Sequence, residues 1–444
     1  MSSYNKICTE CSQENTTWDW CKPCNSKHFQ NDFNNWASGN DKIDKFIQDA
    51  QLNANDYLEI IEWIPFDRFK YVKQIGKGGF GTIHYARRIV GSIYKWNIEN
   101  QQWKRNRIGK EEVVLKKFDD FVNFNDVINE MAIHLKTRTM AASIRFYGIT
   151  QDPETHKYMM VLDYAAGGNL REYLKINFNN IDWNQKLFNL WKLSINLRNI
   201  HKLDIVHQDF HPGNILSFDF KKYGILISDF GLSKLIEANP NNPPKNNIFG
   251  VLPYIAPEVL SGDEEYTKAA DVYSFGIIAY EIITGFPPYP DIPHDKDLAI
   301  KICNGLRPKI PFHTPKLITR TIMRCWDARV TQRPTFNELY DELSKYRNEY
   351  EDYLKKGRNK NSEILIQIKK AEEFSANQES TNTTTSTTTT PLNYQTHPQA
   401  IYTSRLLNYS NLPKPKNEEN FESELENLTK SMSNLCPSNS DLFI

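Results

Sequence analysis

Gly76, Gly78 and Gly81 lie in G-x-G-x-x-G spacing inside the run YVKQIGKGGFGTIHYA. That spacing alone fits two unrelated phosphate-binding turns. In a dinucleotide fold the glycines open a helix, and an acidic residue follows about 20 positions later. Here β-forming residues flank the turn on both sides, Tyr71 to Ile75 before it and Thr82 to Tyr85 after it, so the glycines cap a hairpin. A strand, a glycine turn and a returning strand can fold over a nucleotide with backbone N–H groups near its phosphates.

A nucleotide phosphate chain also needs a fixed cation, and EEVVLKKF, residues 111 to 118, supplies a candidate. Residues two apart on a strand share a face, so Val114 and Lys116 point one way and Lys117 the other. Val114 would cover the base and Lys116 would reach the phosphates. A buried lysine needs a carboxylate to stay charged. The amphipathic stretch FNDVINEMAIHLK offers Glu130, with Asp126 as the alternative; Asp126, Glu130 and His134 fall on one helical face.

Two further loops carry oxygen ligands. HQDFHPGN, residues 207 to 214, presents Asp209, able to accept a hydroxyl proton, and Asn214; ILISDFG, 225 to 231, presents Asp229. Asn214 and Asp229 are hard donors suited to Mg2+ on phosphate oxygens.

In this order, with VVLK at 113 to 116 and APE at 256 to 258, the series resembles the protein kinases over residues 69 to about 346. CW…RPTF within CWDARVTQRPTF, 325 to 336, is typical of tyrosine kinases and the tyrosine-kinase-like group. The resemblance implies an α+β, bilobal protein kinase fold, with a β-rich N-lobe and a mainly helical C-lobe. It implies Asp209 as catalytic base and Lys116 and Glu130 as phosphate clamp. ATP would be bound by Ile75, Gly76, Lys77, Gly78, Gly79, Phe80, Gly81 and Ile83 around the turn, by Val114 and Lys116, and by the hinge in VLDYAAGGNL. There Leu162 would be gatekeeper, and the backbone of Asp163 and Ala165 would meet the adenine edge. Asp271, in DVYSFG, would hold the catalytic-loop backbone, and Arg333 would pair with Glu258.

The chain departs from the family in three places. Gln208 stands where HRD loops carry Arg, so the usual receiver for a phosphate on the activation segment is missing. That segment has no Ser or Thr between Ser233 and the APE residues, and Tyr254 is its only other hydroxyl. The reading is an active enzyme without activation-loop phosphorylation control, with a pseudokinase or nucleotide-binding docking scaffold as the alternative. His211 and Val251 replace residues that mark Ser/Thr kinases, so Ser/Thr acceptors are favoured only by group resemblance, and Tyr stays open. His211 either bonds the phosphate or packs in the loop. The stretch from Arg87 to Glu112 is longer than the family norm and carries Trp96 and Trp103; it reads as an elongated hairpin, with a partner-docking ribbon as the alternative.

Outside residues 68–346 the chain changes character, and no internal repeat is evident. Residues 1–36 hold CTECSQENTTWDWCKPC, in which Cys8, Cys11, Cys21 and Cys24 form paired C-x2-C knuckles. Such knuckles make a closed tetrahedral Zn2+ site, structural in role, and the expected module is zinc-ribbon-like. Its use would be protein docking, with nucleic-acid binding as the alternative, since Trp18, Trp20 and Phe29 could stack bases but only Lys6, Lys22 and Lys27 are nearby cations. Residues 37–67 read as a linker with helical pieces, 347–372 as a charged helical extension, and 373–444 as a low-complexity, mostly disordered tail with TNTTTSTTTTP at its head. In that tail ENFESELENLTKSM is a candidate short recognition helix. Lys+Arg and Asp+Glu each number 54, which argues against a polyanionic partner such as nucleic acid. With no secretory leader and no apolar run of about 18 residues, the expected setting is cytoplasmic, the nucleus not excluded, with a protein substrate and no membrane.

Overall fold

The structure, a computed structural model, describes residues 6–17, 19–78, 81–106, 111–118, 124–138, 140–222, 224–235, 248–381 and 396–433. Gly79 and Phe80 of the glycine turn lie outside the described residues. The chain divides into two units, Met1–Ala166 with Leu226–Gly231, and Gly167–Ile225 with Leu232–Ile444.

The first unit begins with α1 (Lys22–Asp32) and α2 (Asp41–Asn53). Asn40 caps α2 by accepting the N–H groups of Lys42 and Ile43, which satisfies donors that have no partner inside the helix. Its inner face buries Ile43 and Ile47 completely. α2 lies where the sequence offers a helical piece within the 37–67 linker, and this piece is packed.

The strands follow as β1 (Glu62–Trp63), β2 (Phe69–Lys77), β3 (Gly81–Arg88), β4 (Ile93–Asn97), β5 (Gln102–Arg105), β6 (Glu111–Phe118), β7 (Phe146–Gln151) and β8 (Tyr158–Asp163), with α3 (Phe124–Arg138) between β6 and β7. Six of them form one sheet in the order β1-β7-β8-β6-β3-β2. Lys77 pairs with Thr82 across β2 and β3, so the glycine run closes a hairpin, as its β-forming flanks dictate. In β6 the side chains alternate: Val113 and Leu115 enter the apolar cluster with Ala86, Met159 and Val161, which leaves Val114 and Lys116 for the opposite face.

β4 and β5 form a separate ribbon, with Trp96 opposite Trp103. Its aromatic face is covered by the N-terminal residues. Trp103 stacks on Phe29 at 4.2 Å and His28 on Trp96 at 3.9 Å. Ile93 joins Trp20, Phe29, Ala54 and Ile60 in one buried cluster. Arg88 of β3 and Arg105 of β5 both bind Glu62 of β1, at 2.7 and 2.6 Å. Burial works against the Glu62 charge, but the two guanidinium groups outweigh it and hold its pKa below the ordinary value.

The second unit is mainly helical. It runs through α4 (Leu170–Asn177), α5 (Trp183–Lys202), β9 (Ile205–Val206) and β10 (Ile215–Leu216); β11 (Leu226–Ile227) belongs to the first unit, where Ile227 bridges Ser143. Then come β12 (Lys234–Leu235), β13 (Ile248–Gly250), α6 (Pro257–Ser261), α7 (Lys268–Thr284), α8 (Lys296–Cys303), α9 (Lys316–Cys325), α10 (Phe336–Lys356), α11 (Glu363–Thr381), β14 (Arg405–Leu407) and α12 (Phe421–Ser433). α7 is apolar on nearly every side and is buried from Ala270 to Thr284, as a central core helix should be. α10 starts with a capping box between Thr335 and Glu338. No helix among the described residues is long and apolar enough to cross a membrane.

The expectation of a mostly disordered tail past residue 372 does not hold for 396–433. β14 pairs antiparallel with β13, setting Gly250 opposite Arg405 and Ile248 opposite Leu407. Leu407 is buried with Leu252, Ile255, Leu260 and Ile302. Asn417 accepts the Ala328 N–H and donates to Asp327. The segment is too polar to build a core of its own and is ordered on apolar surface supplied by α6 and α8.

Candidate active site

In the first unit, Lys116 is buried and donates to Glu130 at 2.5 Å and to Asp229 at 2.8 Å. Burial disfavours its charge, but Asp229 and Glu130 outweigh that and raise its pKa above the usual lysine value. Glu130 comes from α3, where it is buried with His134, one turn on, while Asp126 is exposed. Lys117, on the other face of β6, donates to Asp152 at 2.6 Å. The structure thus gives the two neighbouring lysines separate partners. Asp229 adopts φ 62°, a left-handed conformation that costs a non-glycine residue roughly 1–3 kcal/mol.

Among the described residues, most of the other expected nucleotide contacts fall on the same sheet, with Gly78 and Ala165 just beyond its strands. A Cβ at Gly81 would lie 2.2 Å from the Lys117 carbonyl oxygen, so glycine is required there by the close approach of β6. Ile83 pairs with Lys116 and Val114 with Leu162; Leu162 and Ala165 are buried. Gly76 and Lys77 end β2, Gly78 donates to the Gly81 carbonyl, and Ile75 is exposed. Asp163 donates its N–H to the Arg145 carbonyl. Burial pushes the Asp163 carboxyl up to about 6 against the pull of Arg145 and Arg138.

In the second unit, the loop after β9 holds Asp209. Asp271 accepts the N–H groups of His207 at 2.9 Å and Gln208 at 3.3 Å, and its carboxylate also meets His201 at 2.9 Å. These bonds hold Gln208 at φ 67°, another conformation that must be held from outside. Asn214 donates to the Asp209 carbonyl at 2.9 Å and to its carboxylate at 3.4 Å. His211 Nδ1 accepts the Gly213 N–H at 3.1 Å, which puts the ring proton on Nε2. That nitrogen lies 3.6 Å from Asp209 Oδ1 and 3.2 Å from Ser404 Oγ. The Ser404 hydroxyl donates to Asp209 Oδ2 at 2.5 Å. Glu258 and Arg333 form a buried two-bond pair, 2.7 Å at each oxygen, in which Arg333 also donates to the Ala269 and Asp327 carbonyls.

Residues 69–343 match the model of the family described as protein tyrosine and serine/threonine kinase. The chain belongs to that family. Among curated kinases, it is 28% identical over 303 residues to the probable serine/threonine-protein kinase roco5 of Dictyostelium discoideum, covering 63% of this chain and 10% of that one. It is 27% identical over 294 residues to the dual specificity protein kinase splA of the same organism, covering 62% and 11%. It is 27% identical over 305 residues to the tyrosine-protein kinase SPK-1 of Girardia tigrina, covering 67% and 54%. The chain therefore spans a small part of the first two and about half of the third. Membership of the kinase family implies ATP with Mg2+, and the hard oxygens of Asn214 and Asp229 suit that ion.

Beside the kinase domain, Cys8, Cys11, Cys21 and Cys24 bring their sulfur atoms within 4.8 Å of one another. Cys8–Cys24 and Cys11–Cys21 separations are 3.9 and 3.6 Å. Bonds of about 2.3 Å to one tetrahedral Zn2+ would set sulfur atoms about 3.8 Å apart, whereas a disulfide needs about 2.05 Å. The donor set fits zinc. Burial opposes ionisation of Cys8, yet the N–H groups of Cys11 and Glu10 hold its pKa below the ordinary thiol value.

Two residues at the kinase loop were not assigned this geometry by sequence reasoning. His211 is a loop residue that also reaches the Ser404 hydroxyl. Ser404 was missed altogether. Its signal is IYTSRLL, a short β-prone run inside a polar tail.

Proposed function

We infer that this chain is an active protein kinase that moves the γ-phosphoryl group of ATP to a Ser or Thr hydroxyl of a protein. The observation that carries the reading is Lys116, buried, kept charged and held by two carboxylates. A cation fixed in this way suits phosphate oxygens, whereas a lysine with only a packing role more often lays its stem on apolar surface and keeps its ammonium group in water. Asp209 takes the proton of the acceptor hydroxyl and Asn214 orients Asp209. The side-chain oxygens of Asn214 and of Asp229 are each suited to Mg2+, which would supply charge neutralisation for the leaving phosphate. Replacing Lys116 by Ala should lower transfer to casein by at least ~100-fold, and Lys117→Ala should leave it near wild type; equal effects would remove the reading.

A Ser/Thr acceptor is supported by the reach of Asp209, which a serine side chain meets at 2.5 Å. Freedom from activation-segment phosphorylation is supported by Gln208, which carries no charge to bind a phosphate, and by Tyr254. The Tyr254 hydroxyl is buried, donating to Glu281 at 2.5 Å and accepting from Arg171 at 2.9 Å. Ser233 is likewise buried on the His207 carbonyl. The four cysteines would hold one structural Zn2+, a site that suits a reducing, cytoplasmic setting. Its module, lying against the tryptophans of the β4–β5 ribbon, would brace that ribbon; protein docking remains a role for its outer surface.

A further inference from the structure

We propose that Ser404 is this kinase's own phosphoacceptor, presented in cis by a tail segment lying in the site for acceptor peptides; the proposal rests on the kinase reading above. The Ser404 hydroxyl already donates to Asp209 Oδ2 at 2.5 Å, and His211 Nε2 lies 3.2 Å from the same hydroxyl oxygen. With Nδ1 held by Gly213, His211 donates to the hydroxyl oxygen while Asp209 accepts from it. This is the arrangement a hydroxyl needs before it attacks: its lone pair oriented and its proton directed at a base.

The backbone on either side fixes that placement. C-terminal to Ser404, β14 pairs with β13 and Leu407 fills the apolar cluster with Leu252 and Ile255. N-terminal to it, Arg171 donates to the Tyr402 carbonyl at 2.7 Å, and the Tyr402 hydroxyl donates to the Pro288 carbonyl at 2.8 Å. The Tyr402 hydroxyl is thus held on Pro288, while the serine hydroxyl reaches the carboxylate. The arrangement also describes the class of acceptor the site takes: an extended segment with a serine, and an aliphatic residue three positions after it.

In the reaction, Ser404 Oγ forms a bond to the γ-phosphorus of a nucleoside triphosphate. The bond from that phosphorus to the β–γ bridging oxygen breaks, and the diphosphate leaves with its electron pair. The serine proton passes to Asp209. The product then carries a charge of about −1.5 to −2 beside Asp209, a repulsion that favours release of the segment and admits other acceptors.

The test uses the full chain with Mg2+ and ATP, phosphosite mapping by mass spectrometry, and casein as a second acceptor. Wild type should gain phosphate at Ser404 at a fractional rate unchanged by dilution. Ser404→Ala should abolish the signal at that position. Leu407→Asp, which unseats the segment without touching Asp209, should lower Ser404 labelling at least ~10-fold and raise casein labelling. Casein labelled while Ser404 stays unmodified would overturn the proposal and leave the kinase reading standing, as would a Ser404 rate proportional to protein concentration. Labelling of neither acceptor, with ADP release no greater than in Asp209→Asn, would remove both.

Discussion

The two ends of the chain acquire order in opposite ways. Near the N-terminus, four thiols within 17 residues converge locally, and the tryptophans of β4 and β5 complete the packing around Phe29 and Trp20. Near the C-terminus, residues 396–433 have little apolar content to share among themselves and take their order from the surface beneath. Their bonds run to the carbonyls of Pro288, Pro290 and Cys303, and their anchor is the buried Leu407. A site closed by nearby residues is held by its own chemistry, whereas a strand laid on another surface is held only as long as that surface prefers it. The first arrangement suits a permanent brace, and the second a part that leaves.

Removal of metal should break the comparison most strongly. Metal binding supplies roughly 10 kcal/mol or more in small zinc modules, so chelation should release one zinc per chain and unfold residues 6–36. The change should appear as altered tryptophan fluorescence from Trp20, Trp96 and Trp103, while hydrogen exchange at β14 stays as before. Loss of protection at both ends together would make them one cooperative piece.

A smaller effect is expected from Glu62→Gln, which leaves Arg88 and Arg105 without their shared carboxylate. Breaking a buried pair of this kind costs about 3–5 kcal/mol, read as a fall in Tm at neutral pH. The folded Glu62 pKa lies below the ordinary value, so its contribution is present above the ordinary carboxylate range, about 4.3, and is lost as pH falls through the lowered value. The gap between wild type and variant should therefore close in acid; a gap independent of pH would show that Glu62 does not act through its charge.

Leu407→Ala should have the least effect on the whole molecule. Removing a buried leucine side chain costs about 2–5 kcal/mol, but the loss falls on the docking of the tail. Proteolysis between 396 and 420 should accelerate with Tm nearly unchanged. A cooperative fall in Tm would mean that the segment is part of the core, contrary to the contrast drawn between the two ends.

These differences also explain what could be read from sequence. Strand parity separated Lys116 from Lys117, and the structure gives them different carboxylates. Helical spacing put Asp126, Glu130 and His134 on one face; Glu130 is the member that reaches Lys116, because it lies a turn deeper beneath the sheet while Asp126 is at the exposed start of α3. The thiol spacing marked the cluster directly. Periodicity records how a segment packs within its own element, and so it said nothing of Ser404, whose position depends on β13 more than 150 residues away. For the same reason the ribbon's tryptophans were legible as a hairpin but not as the cover of the N-terminal module. His211 showed two possible roles in sequence, bonding the phosphate or packing in the loop; the Gly213 bond holds one ring nitrogen in the loop while the other lies near the Ser404 hydroxyl, a contact that neither role named.

The central claim is that Asp209 accepts the proton of a hydroxyl as phosphate is transferred to it. Radiolabel transfer from γ-labelled ATP to protein, with wild type beside Asp209→Asn, tests that claim most directly. The asparagine keeps the loop's shape but cannot take the proton, so labelling should fall by about 10²–10⁴-fold while nucleotide binding is retained. Equal labelling by the two proteins would contradict the account.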